Sequence, residues 1–87
     1  MTSVDDIAER IEANLSQGEA NLRQADVNSA EITSILAVIN SARWRRIRNR
    51  RLLNRCHALA NGNRELARAN ESLLAENGRL LAIHLTR

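Results

Sequence analysis

The sequence predicts an all-α protein of long helices that associate as a homodimeric coiled coil or four-helix bundle. Three observations carry that expectation. Ala, Leu, Arg, Glu and Asn dominate, while Phe, Tyr and Pro are absent, so the aromatic material of a β core is missing and nothing interrupts a helix. Leu52, Leu59, Leu66, Leu73 and Leu80 recur every seven residues, the period of a helix packed along a seam. Finally, 87 residues cannot enclose a large private core, and the single Cys excludes an internal disulfide framework. A second copy is the expected remedy.

Ser3 is placed to cap a first helix, with Asp5 and Asp6 in the first turn, where carboxylates suit the positive end of the dipole. Val4, Ile7, Ile11 and Leu15 share one face, which predicts a helix over about 3–17 with Gly18 after it. Residues 19–28 are ambiguous. Asn28 followed by Glu31 resembles a capping box opening a second helix over about 28–42, with Ile32, Ile35, Leu36 and Ile39 as its stripe. Residues 1–42 thus form an acidic segment and 43–87 a basic one. The apolar face rotates by about a third of a circle across the arginine stretch, so that stretch is a junction.

In the C-terminal segment the heptads place Leu at d and Asn49, Cys56, Asn63, Asn70 and Asn77 at a. Asn at a favours a parallel, in-register dimer because the amides pair across the seam. The oligomerisation residues expected on this reading are Leu52, Cys56, Leu59, Leu66, Asn70, Leu73, Asn77 and Leu80. The e positions Leu53, Ala60, Ala67, Leu74 and Leu81 are apolar too, which widens the stripe towards a bundle. A competing arrangement turns the chain at 61–63, where Gly62 ends one helix and Asn63 caps the next, so that the last segment folds back antiparallel.

Charge is strongly partitioned. Residues 1–42 hold two arginines and seven carboxylates; residues 43–87 hold eleven arginines and three carboxylates, and Lys is absent. Residues 43–55, RWRRIRNRRLLNR, concentrate seven arginines around Trp44, the only aromatic residue. Guanidinium forks suit phosphate, and Trp44 either packs beneath the helices or stacks on a base. The candidate nucleic-acid contacts are Arg43, Trp44, Arg45, Arg46, Arg48, Asn49, Arg50, Arg51 and Arg55. The competing expectation is self-neutralisation by Asp5, Asp6, Glu9, Glu12 and Glu19.

Two resemblances bear on the nucleic acid. A basic stretch followed by a leucine heptad resembles the bZIP family of DNA-binding dimers over residues 43–87, with Asn49-Arg50 and Cys56 at matching places. It departs from that pattern at Leu52, Leu53 and His57, and Leu66 comes one residue early. The resemblance implies a sequence-specific DNA-binding regulator in the nucleus. In overall plan the chain also resembles small helical viral proteins that bind double-stranded RNA, the RNA-silencing suppressors of nodaviruses and cucumoviruses. ARWRRIRNRR is similar to viral arginine-rich motifs. That resemblance implies a homodimer gripping duplex RNA by shape, in the host cytoplasm. Duplex RNA is the favoured partner, because A-form helices are met mainly through phosphates and 2′-hydroxyls. A structural coiled coil without a nucleic-acid ligand is the third reading.

No catalytic constellation is visible. Cys56, His57 and His84 are too few and too scattered for a zinc site, and the glycines form no phosphate loop. The expectation is a non-enzyme with no cofactor, metal or small-molecule substrate. No apolar run approaches the ~20 residues of a membrane span, so an intracellular protein with no membrane partner is expected.

Overall fold

A computed structural model describes residues 3–41 and 46–86; it places the side chains of 3–41 and 49–86. The described residues form two helices, α1 (Val4–Ser41) and α2 (Arg46–Leu85). The fold is all-α. The helices pack as an antiparallel hairpin measuring 66 × 14 × 14 Å over its Cα atoms.

The start of α1 matches its sequence signal. Ser3 Oγ accepts a hydrogen bond from the Asp6 N–H at 3.1 Å, and the Ser3 carbonyl accepts from the Ile7 N–H at 3.1 Å. The break expected after Gly18 does not occur, and neither does a new helix at Asn28, since α1 runs unbroken to Ser41. Likewise α2 continues through 61–63, so no fold-back takes place there. The junction between helices lies where the apolar face rotates, after Ser41.

Polar pairing overrides these local signals. Asn14, Asn21 and Asn28 recur every seven residues along α1 and meet the asparagines of α2 in reverse order. Asn14 Nδ2 donates to Asn77 Oδ1 at 2.8 Å, Asn21 Nδ2 to Asn70 Oδ1 at 2.8 Å, and Asn28 Nδ2 to Asn63 Oδ1 at 2.9 Å. Two rungs are extended by a repeated pattern. Gln17 and Gln24 donate to Asn21 Oδ1 and Asn28 Oδ1, each at 2.9 Å. On the other side, Asn70 donates to the Gly18 carbonyl at 3.3 Å, and Asn63 to the Ala25 carbonyl at 3.5 Å and Ser29 Oγ at 3.3 Å. The amides expected to pair between parallel copies pair within one chain, antiparallel.

The leucine column lies along the same seam. Leu59 and Leu80 are buried together with Ile7 and Ile35, while Leu52, Leu66 and Leu73 are half-buried beside them. Cys56 is a free, half-buried thiol carried by this register to the level of Ile35. Four heptad positions thus acquire a place: a and d fill the seam, with e on one flank and g on the other. Arg10 pairs with Glu76 at 2.9 Å and Glu31 with Arg55 at 3.0 Å across the g flank.

Two results are expected from thermal unfolding. Asn21→Ala leaves the Asn70 amide without its seam partner and should destabilise by about 1–3 kcal/mol, whereas Asn21→Leu with Asn70→Leu should raise the melting temperature while loosening the register. Gly78→Ala and Gly62→Ala should each stabilise by about 0.5–1 kcal/mol through helix propensity. A Cβ at 78 meets nothing within 4 Å, and one at 62 meets only Asn28 Nδ2 at 3.7 Å.

Candidate nucleic-acid interface

The arginine cluster lies where α1 ends and α2 begins, at one tip of the hairpin. Arg46, Arg48, Asn49, Arg50, Arg51 and Arg55 belong to α2; Arg43, Trp44 and Arg45 fall in the link and lie outside the described residues. Arg50, Arg51 and Arg55 are exposed, and Asn49 is half-buried on the seam side of the helix. The structure therefore places Arg46, Arg48, Arg50, Arg51 and Arg55 in the first turns of α2, at one end of the rod.

Antiparallel packing also decides where the countercharge goes. Asp5, Asp6, Glu9 and Glu12 sit at the base of the hairpin, beside the C-terminal end of α2. At 1.5 Å rise per residue, Asp5 is about 60 Å from Arg46 along the rod, several Debye lengths at physiological salt. Within one hairpin these carboxylates do not reach the tip. The carboxylate that does reach it was missed in the sequence: Glu31 accepts from Arg55 Nε at 3.0 Å and from Arg55 Nη2 at 3.2 Å. Those hydrogen bonds, and then the charge of Glu31, raise the Arg55 pKa and hold it more firmly protonated. A mid-helix Glu on the opposite strand of the hairpin carries no local signal for such a contact.

Backbone electrostatics sharpen the imbalance. The first turn of α2 carries no acidic residue, so Arg46, Arg48 and their neighbours crowd the positive end of its dipole. Cations there repel both one another and the helix end, and a polyanion relieves both terms. Among the described residues, no group of three or more His, Cys, Asp or Glu side chains is placed to hold a metal ion. Neither helix is long and apolar enough to cross a membrane.

The predicted oligomerisation residues are brought together, but within one chain. Leu52, Cys56, Leu59, Leu66, Leu73 and Leu80 face the α1 seam, and Asn70 and Asn77 hydrogen-bond Asn21 and Asn14. Comparison with protein-family models, curated proteins and solved structures finds no match.

Because the Glu31–Arg55 pair is largely exposed, Glu31→Gln should leave the unfolding midpoint nearly unchanged. A denaturant titration showing a marked loss would mean the pair fixes the tip's packing.

Proposed function

We propose that this chain binds duplex nucleic acid without sequence preference through phosphate contacts at the arginine-rich tip, with duplex RNA the preferred form. The observation that carries this reading is the separation of charge: a cationic tip whose nearest described countercharge is Glu31, with the other α1 acids along the rod and at its base. Arg50 and Arg51, with Arg43, Arg45, Arg46 and Arg48, supply forks for phosphate oxygens, and Arg55 joins them where phosphate displaces Glu31.

Shape supports backbone contact over base reading. A single helix fills a B-form major groove of about 12 Å, whereas two packed helices with side chains are about 20 Å across. The width of two packed helices suits the wide, shallow minor groove of an A-form duplex, where 2′-hydroxyls add acceptors for arginine. A bZIP-like mode needs the leucine column free for a second copy, and here that column packs on α1. A purely structural role is the outcome if no nucleic acid binds.

Gel shifts with duplex RNA, random duplex DNA and single strands test the reading. Duplex RNA should bind best, with affinity falling by about 10³-fold or more between 50 and 200 mM salt. Replacing Arg46, Arg50 and Arg51 together by Ala should remove most affinity and leave the helical circular dichroism unchanged. Binding that survives the triple change at moderate salt overturns the site, and a preference of orders of magnitude for one DNA sequence overturns the mode.

A further inference from the structure

One flank of the hairpin exposes leucine. The e positions of the two antiparallel helices fall on the same side: Ala8, Leu15, Leu22, Ser29 and Leu36 from α1, and Leu53, Ala60, Ala67, Leu74 and Leu81 from α2. None is charged. Leu15, Leu22, Leu36, Leu53, Leu74 and Leu81 are 53, 60, 45, 43, 67 and 49% exposed. Leu15, Leu22, Leu73 and Leu74 line a groove together with Asn70 and Asn77 of the amide ladder and the carboxylate-bearing Glu19. The opposite flank is polar, with Arg10–Glu76 and Glu31–Arg55 bridging it and Gln17 and Gln24 between.

We propose that a second copy of this chain docks on the leucine flank and closes a four-helix bundle, the two tips lying at opposite ends. The inference does not depend on nucleic-acid binding.

Three observations point to this occupant. First, the seam is thin. Among the described residues its buried apolar members are Ile7, Ile35, Leu59 and Leu80, no side chain is fully buried, and three layers are amide pairs. Such a core is too small to hold a 66 Å hairpin by itself, and covering the flank would bury the ladder inside the bundle.

Second, the dimensions fit. The e columns run about 42 Å along two helices about 20 Å across, offering roughly 800 Å² per copy, the size of a standard interface.

Third, the pattern is complementary to itself. Leu22 and Ala67 are the central members of their columns and lie near the same level, given the Asn21–Asn70 rung. A two-fold axis there sets Ala8 against Leu36, Leu15 against Ser29 and Ala60 against Leu74, large against small, with Leu53 against Leu81 and Leu22 and Ala67 each against its own copy. It also sets each acidic base beside the other copy's basic tip. At the rim Glu19 would face Asp26, which repels, and Arg64 would face Glu71, which attracts. The alternative dyad, along the rod, would place both arginine clusters side by side.

Sedimentation equilibrium of the full chain without nucleic acid tests the interface. The wild type should have about twice the 9.8 kDa chain mass at tens of micromolar, with helicity rising as the dimer forms. Leu22→Lys with Leu74→Lys should weaken association by at least a hundredfold. Both side chains are exposed in a single hairpin, so a loss of helicity in that variant that tracks its loss of mass equally supports the interface. A wild-type monomer at full helicity, or a double variant that stays dimeric, overturns it. For the arrangement, Ala67→Cys in a Cys56→Ser background should oxidise to a linked dimer, and Ala58→Cys on the outer face should not. Absence of the Ala67 link, or equal linking at both positions, overturns the opposed tips.

Discussion

The asparagine ladder is the constraint on which the rest of the structure depends. Apolar seams tolerate sliding, because leucine packs on leucine in many registers. Amides resist it, since a slip of one heptad keeps two rungs but leaves two amides opposite Cys56 and Ile7, or opposite His84 and Ile35. Each such loss costs about 1–3 kcal/mol. Three paired rungs therefore fix which residues of α1 meet which of α2. They do so at the expense of apolar burial, and that is why the hairpin has so thin a core. Direction, register and the placement of charge all follow from the same rungs.

Once register is set, the flanks take on distinct chemistry. On the g side the long side chains bridge the helices as ion pairs and amides. On the e side leucine, alanine and serine leave a surface with no charge. The a and d positions fill the seam between them. The rod is thus amphipathic across its width and dipolar along its length, acidic at the base and cationic at the tip.

Much of this was legible in the residues. The all-α class follows from composition, the Ser3 cap from its hydroxyl and the acids after it, and the junction from the rotation of the apolar face. The leucine seam was visible, but not its partner, because a heptad states that a helix packs and not against which helix. The α2 asparagines were read as pairing with another copy. Asn14, Asn21 and Asn28 repeat at the same interval, yet they sit among polar residues where apolar periodicity gives no warning. Gly62 and Gly18 were read as helix ends for a related reason. Both glycines face the opposite helix, where a Cβ would lie 3.7 Å from Asn28 Nδ2 or Asn70 Oδ1. Tertiary pairing there outweighs the local preference of glycine for a helix end. At the cationic tip, Arg50, Arg51 and Arg55 were legible as exposed cations, while Glu31 was not, because its contact spans 24 residues of chain.

The order in which a hairpin closes adds a consequence. Contacts near the reversal enclose the shortest loops: the Glu31–Arg55 pair joins residues 24 apart, the Arg10–Glu76 pair residues 66 apart. Loop entropy therefore favours zippering from the reversal outward, yet that is where like charges are densest. The nucleus must form against its own repulsion. Dissolved ions that screen the guanidiniums would speed closure, while the same ions compete for any phosphate the tip holds, so salt would act in opposite senses on assembly of the rod and on its grip.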